Sequence, residues 1–264
     1  MQRIVVLLKQ TFDTEEKILF HDDGSIDDRE AKLVINPYDE YALEEAIRQK
    51  EQHGGTVTVI TCGNEKAEEA LRTALAIGAD EAIRLAQDKL PDDSFELAKA
   101  LAAAIKPLQP DLLLAGLFAV DSGSGSVALQ VAQRLQIPHA SAAVKLAIRM
   151  ADQLEQTPIT GASHYAVVEQ DIEGDAQTAI LPLPALITAQ QGLNEPRYPS
   201  LPNIMKAKRK PLHTVQPDAG SVPARTLRTR LMPKPPRAAG IRLEGDARQQ
   251  ALSLVSALQN KGLL

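Results

Sequence analysis

Four strand-length stretches rich in aliphatic residues space out the first half of the chain: Ile4 to Leu8 (IVVLL), Val57 to Thr61 (VTVIT), Glu81 to Leu85 and Asp111 to Ala115 (DLLLA). Apolar runs without alternation belong to strands buried on both faces, as parallel strands are when helices cover them. A helix signal follows each stretch. Asn36-Pro37 opens one helix with a capping residue and a proline at the first turn, and Gly54-Gly55 closes it. Ala67 to Ile77 is the second, ended by Gly78. Asp92 to Lys106 is an alanine-rich third with Asp93 or Ser94 as cap, and Val127 to Leu135 is the fourth. Strand–helix alternation of this kind predicts an α/β fold: a three-layer, mostly parallel sheet with helices on both faces.

Around that frame the reading is simpler. Lys9 to Glu16 is a polar turn, and His21 to Glu30 an acidic excursion or hairpin. His139 to Ile148, His164 to Ile172 and Thr178 to Thr188 are later strands, some of them antiparallel. From Leu212 the chain is basic and rich in proline, cannot build a core of its own and is expected to lie extended on a partner. Asp246 to Gly262 closes it with one amphipathic helix carrying Leu252, Val255 and Leu258. The expected organisation is an α/β domain over 1–192, a distinct loop over 193–211, and an extended basic arm with a terminal helix over 212–264.

The net charge of −5 hides an asymmetry. Lys206 to Arg237 carries nine Lys/Arg against one acid, Asp218, which leaves the rest of the chain at about −13. A basic tail on an acidic body fits either nucleic acid or an acidic protein partner. Aromatic residues make up only 3% of the chain, too few for base-stacking platforms, and no nucleic-acid motif accompanies the charge. One cysteine, Cys62, leaves no internal disulfide framework and fits a reducing compartment. No apolar run approaches eighteen residues, and the run at the start is too short for a signal peptide. The expectation is a cytoplasmic protein with no direct membrane insertion.

In an open α/β sheet a ligand is expected beyond the carboxyl ends of the strands. Four turns fall there: the strand end at Leu7, the helix start Asn36, Pro37, Tyr38 and Asp39, the turn at Cys62, and the loop from Gly116 through Asp121, Ser122, Gly123, Ser124, Gly125 and Ser126 to Val127. Helix N-termini there favour a phosphate, and the serine–glycine loop is flexible enough to bring backbone close to an anion. By itself that loop is also compatible with a linker that binds nothing. There is no Walker A sequence and no G-x-G-x-x-G, so phosphoryl transfer and ordinary dinucleotide binding are poorly supported. The five histidines show no ligand spacing and no metal site is expected. Cys62 reads as a small core residue, and Glu169, Asp171 and Glu173 as charged residues of a strand and turn.

Leu193 to Pro211 reads LNEPRYPSLPNIMKAKRKP. Pro196, Pro199 and Pro202 forbid a helix through its first half. Leu201, Ile204 and Met205 then share one face of a short helix ahead of Lys206, Lys208, Arg209 and Lys210. The composition fits equally a loop folded back on its own domain and a docking loop that offers an apolar knob to a partner.

These residues also carry a resemblance. L-N-E-P-R-Y-x-x-L-P-N-I-M-K-A-K (Leu193 to Lys208) resembles the signature of electron transfer flavoprotein β subunits. I-N-P-Y-D-E-Y-A-L-E-E-A-I-R-x-K-E (Ile35 to Glu51) and R-T-A-L-A-I-G-A-D (Arg72 to Asp80) resemble two further family segments, so the similarity runs from the first strand to about Pro211. The resemblance implies an adenine-nucleotide α-hydrolase-like, Rossmann-like fold. It implies a heterodimer with an α subunit that holds most of the redox FAD, a structural AMP at the four turns named above, and no catalytic residues in this chain. It implies that electrons come from flavin-dependent dehydrogenases, such as acyl-CoA dehydrogenases of fatty acid β-oxidation, and pass to a quinone oxidoreductase. Leu201 would be the anchor for the donor, with Ile204, Met205 and Tyr198 beside it, and Asp171 an inter-subunit residue. The chain departs from the family at the loop: Ser122 and Gly123 replace two acids, Ser126 a glutamine and Ala128 a glycine. Thr14 stands where some members have a tyrosine near the flavin. The alternatives are a free-standing adenine-nucleotide-binding module and a bifurcating-type subunit with FAD in the nucleotide site, whose usual loop sequence is absent here.

Overall fold

The structure, a computed structural model, describes residues 2–21, 24–86, 90, 92–154, 161–217, 224–227, 229, 231–232, 235 and 239–264. The expected alternation is present. Strands β1 (Gln2–Leu7), β6 (Gly55–Gly63), β7 (Glu81–Ala86) and β8 (Leu112–Gly116) alternate with helices α1 (Pro37–His53), α2 (Ala67–Ile77), α3 (Ser94–Ile105) and α4 (Ser126–Leu135). β9 (His139–Met150), β10 (His164–Ile172), β11 (Asp175–Pro182), β12 (Ala185–Ala189) and β13 (Leu212–Val215) complete a nine-stranded sheet in the order β11-β10-β9-β12-β8-β1-β6-β7-β13. Within this sheet, among the described residues, only β9–β10 and β10–β11 are antiparallel pairs.

Period-2 alternation along β1 explains the three layers. Ile4 and Val6 point into one apolar cluster, with Leu43 and Ile47 of α1 and Leu71 and Leu75 of α2. Val5 and Leu7 point into the other, with Leu101 and Ile105 of α3 and Val131 of α4. The chain winds from β1 outward through β6 and β7, then returns to β8 on the other side of β1. The gap between the carboxyl ends of β1 and β8 is therefore the topological switch point, where ligands of such sheets bind.

Several elements differ from the sequence reading. The polar turn after β1 contains β2 (Gln10–Phe12), which pairs antiparallel with β5 (Leu33–Ile35) as a small side sheet. The excursion between them is a hairpin of β3 (Leu19–Phe20) and β4 (Ile26–Asp27). The single run Thr178 to Thr188 is two strands: β11 extends the antiparallel arm, and after Pro182 and Pro184 the chain turns into β12 of the parallel sheet. Leu212–Val215, expected at the start of the extended arm, instead pairs parallel with β7 and closes that edge of the sheet. Farther on, Thr226 donates its backbone N–H and its hydroxyl to the Asp93 carboxylate, at 2.8 and 2.6 Å, where Asp93 caps α3. Residues 218–223, 228, 230, 233–234 and 236–238 of the basic tail lie outside the described residues.

Two compact units divide the chain, 1–230 and 231–264. The second contains α6 (Ala247–Asn260), capped by Asp246 and Gln249 in a reciprocal capping box. Leu252, Leu254 and Val255 on this helix are exposed.

Candidate functional site

The switch point is built from the four predicted turns, but their side chains divide into two sets. On the α1 side they are consumed by the fold. The Asp39 carboxylate is buried; it accepts the backbone N–H of Lys9 at 2.6 Å and that of Gly116 at 2.9 Å, so one side chain ties the end of β1 to the end of β8. Burial pushes this carboxyl up to about 7 against the lowering effect of those hydrogen bonds. Asn36 was expected to cap α1, yet its side chain makes no cap bond. It donates to the Phe118 carbonyl at 3.0 Å and accepts from the Val120 N–H at 3.1 Å, holding the loop after β8. Pro37 takes the first turn of α1, where its missing N–H costs nothing. Tyr38 packs its ring on Phe118, centroids 4.3 Å apart. The Lys9 ammonium reaches Asp121 at 2.7 Å.

On the α3 and α4 side the predicted residues leave a surface. Leu7, Cys62 and Val127 belong to the same apolar cluster. Cys62 is half-buried and burial pushes its thiol up to about 11, so it is an inert apolar wall rather than a nucleophile. Helix α4 starts at Ser126 with Gly125 as N-cap, no side-chain cap bond and no acid in its first turn. Its N-terminal N–H groups are free of side-chain partners, which is the requirement for accepting a phosphate. The loop before it, expected to be flexible, is a closed turn. Gly123 N–H bonds the Ala119 carbonyl at 2.8 Å, and Ala119 N–H bonds that of Ser124 at 3.0 Å. Gly123 supplies the positive φ of 66° this turn needs. An apolar floor beside an uncapped helix start fits a nucleotide.

The second predicted site is the arm. Tyr198, Leu201 and Met205 are 95, 79 and 63% exposed, and Ile204 lies beside them at 39%. The short helix α5 (Leu201–Ala207) carries Leu201, Ile204 and Met205, with only Ala207 buried, and Tyr198 lies just ahead of it. Arg197, just before, forks onto α1: Nε and Nη2 meet both oxygens of Glu44 at 2.8 and 3.0 Å, and Nη1 and Nη2 those of Glu51 at 2.6 and 3.0 Å. Burial alone would raise the Glu44 carboxyl, but the hydrogen bonds from Arg197 and Arg48 hold it below the usual range. The basic collar is not uniform. Lys206, Lys208 and Arg209 are exposed, whereas Lys210 turns inward to the carbonyls of Leu75 and Ala79 at the end of α2, 2.9 and 2.5 Å away. Arg72 of α2 donates in return to the carbonyls of Ala207 and Lys210, both at 2.8 Å. Sequence reading missed Arg72 and Arg197 as structural residues, although both lie inside the quoted family segments.

Asp171 is exposed on β10, opposite Ala176 in the β10–β11 hairpin whose turn is Glu173-Gly174. Glu169 pairs with Lys145 at 2.9 Å, a surface ion pair. A groove of ≈ 430 Å³ lies between α1 and β9 and β10, lined by Gln49, Lys145 and Leu193 among others. A second, of ≈ 250 Å³, lies between α2 and the arm, beside Ile204. Among the described residues there is no cluster of three or more His, Cys, Asp or Glu that could hold a metal, and no helix is long and apolar enough to cross a membrane.

Fold and site together define a Rossmann-like α/β protein with an uncapped helix start at its switch point and a pinned surface arm. Comparison with known proteins makes this specific. Residues 23–219 match the electron transfer flavoprotein domain family. A Bacillus subtilis (strain 168) protein named electron transfer flavoprotein subunit beta is 45% identical over 266 residues, 98% of each chain. Proteins of the same name from Bradyrhizobium diazoefficiens and Homo sapiens are each 34% identical, covering 98% and 92% of both chains. The chain belongs to the electron transfer flavoprotein family, as a β subunit.

Proposed function

We propose that this chain is the small subunit of a heterodimeric carrier that takes electrons from flavin-dependent dehydrogenases, acyl-CoA dehydrogenases among them, and delivers them to a quinone oxidoreductase. In this reading the α subunit holds most of the redox FAD and this chain does no bond chemistry. AMP occupies the switch point, where the start of α4 together with Leu7, Cys62 and Val127 would hold it. The face formed by Leu201, Ile204, Met205 and Tyr198 docks the electron donor, and Asp171 meets the α subunit. The bound FAD supplies the reversible electron acceptance. This chain's residues hold the partners at a distance and orientation in which flavins meet. The protein works in the cytoplasm.

The observation that carries this reading is the knob: three large apolar side chains held out on an arm fastened on both sides. Exposed contiguous apolar groups on a fastened support are the signature of a docking site rather than of a misplaced core. The test is co-expression with a flavoprotein α subunit. The expected result is a yellow αβ complex that releases AMP on denaturation. In that complex Leu201→Ala lowers the rate of reduction by an acyl-CoA dehydrogenase without changing FAD content. Release of a second FAD instead of AMP would move the chain to the bifurcating type. A stable colourless monomer that hydrolyses ATP would overturn the proposal.

A further inference from the structure

Little within segment 198–206 itself fixes its conformation. Helix α5 has seven residues, too few to be stable on propensity alone. Its N-cap Ser200 makes no side-chain cap bond, and it buries only Ala207. The bonds that hold it come from outside and sit at its two ends. Upstream, Arg197 spans Glu44 and Glu51, which stand two turns apart on one face of α1, and Asn194 donates to the Tyr41 carbonyl at 3.0 Å and to Glu45 at 3.2 Å. Downstream, Lys210 takes the carbonyls that end α2, while Arg72 of α2 takes carbonyls of the arm. Asn194, Arg197 and Lys210 are directed into α1 and the end of α2, and Arg72 of α2 is directed back into the arm. Between the two fastenings Tyr198, Leu201 and Met205 are left outward, with Ile204 at the edge of the groove against α2.

We propose that Arg197, Glu44, Arg72 and Lys210 are positioning residues that set the conformation of the docking face before a donor arrives and touch no donor themselves. The proposal rests on the reading of Leu201 as a docking residue. It also explains a pairing within the sequence. Glu44 and Glu51 lie in the segment Ile35 to Glu51, Arg72 in the segment Arg72 to Asp80, and Arg197 in the segment Leu193 to Lys208. Three separated sequence segments supply parts of the two fastenings. A face that is already ordered avoids the conformational cost of docking, so loosening it weakens encounter and leaves the electron-transfer step intact.

The test uses the reconstituted αβ complex with an acyl-CoA dehydrogenase as variable donor. Arg197→Ala is expected to raise the donor KM on the order of 10-fold, with kcat at saturating donor and FAD content unchanged, because ordering costs fall on binding. Arg197→Lys is expected to fall between, since an ammonium cannot fork across two carboxylates. Amide hydrogen exchange over residues 203–206 should quicken in both. Glu51→Gln, at a side chain 54% exposed, gives the same trend where Arg197→Ala fails to fold. Leu201→Ala is the reference. If it raises the donor KM and Arg197→Ala, Arg197→Lys and Glu51→Gln do not, the positioning role is overturned and docking stands. If Leu201→Ala leaves the donor KM unchanged, the docking reading falls and this proposal with it. A fall in kcat at unchanged KM in the Arg197 variants also overturns the positioning role.

Discussion

Asp39 and Gly116 meet so closely that no side chain fits between them. The Asp39 Oδ1 accepts the Gly116 N–H at 2.9 Å, and a β-carbon placed on Gly116 would stand 2.3 Å from that same oxygen and 2.7 Å from Tyr38. The glycine is required by approach, not by backbone angle. Gly116→Ala is therefore expected to destabilise the chain by about 2–4 kcal/mol, as overpacking against a fixed carboxylate does. Gly123→Ala is the control: its φ of 66° carries strain but a β-carbon meets nothing within 4 Å, so its cost is about 1 kcal/mol. Urea unfolding of the αβ complex distinguishes them; equal midpoints would refute the close-approach argument.

The same carboxylate sets a pH dependence. Asp39 is pushed up to about 7 by burial, against about 3.9 in an unfolded chain. Between those values folding takes up a proton. The contribution is full below about pH 4, falls as pH rises, and is gone above about pH 7, a span worth at most about 4 kcal/mol. Asp39→Asn should flatten the stability profile between pH 5 and 7 while lowering it overall, because one backbone N–H then faces an amide donor. An unchanged slope in that window would show that Asp39 titrates elsewhere.

Acid acts through other groups. Asp93 is held at about 2, chiefly by the Thr226 hydroxyl, and Glu51 is held low by Arg197. Both contributions are present at neutral pH and are lost as pH falls below about 4. Thr226→Val should shift the acid limb of unfolding upward in pH without moving the neutral limb. Measuring both limbs by fluorescence-detected or circular-dichroism titration separates the two effects.

Lys210 and Lys206 are neighbours in the sequence with different duties. Lys210→Met leaves the carbonyls of Leu75 and Ala79 without their donor, a loss of about 1–3 kcal/mol. Lys206→Met, at an exposed position, should change stability by less than about 0.5 kcal/mol. Thermal unfolding of the two variants side by side is sufficient, and equal losses would contradict the assignment.

Cys62, with its thiol raised to about 11, should resist thiol reagents. Modification of the folded complex at pH 8 is expected to be slower than that of a free thiol by about two orders of magnitude, following its thiolate fraction. Labelling at the rate of a model thiol would mean that the wall beside α4 is open.

The layers of the fold were legible because IVVLL and DLLLA admit little but burial on both faces, and because Gly54, Gly78 and Asp93 punctuate the helices in the usual way. The side sheet was not, since Gln10–Phe12 is too short and polar to announce a strand. The fused run Thr178 to Thr188 hid a change of sheet that Pro182 and Pro184 mark. The turns expected to hold a ligand do lie at the ends of β1, β6 and β8, but the structural duties of their side chains were not readable. Asn36 carries a capping signature, yet its side chain is claimed by backbone 82 and 84 positions away. Lys210 belongs to a basic run by sequence, and only the end of α2 makes it a capping group. In both cases the deciding partner is distant in the chain, where no local pattern reports it.

The placement of β13 has a consequence for the order in which the molecule can be completed. The strand that closes the β7 edge is supplied by residues after the knob, with β8, β1, β6 and β7 between it and β12. During synthesis that edge stays open until residue 215 has emerged. A chain truncated just before Leu212 would lose more than a tail, because it would leave the N–H and C=O groups of β7 unpaired at a sheet border, where stray strands add and chains aggregate.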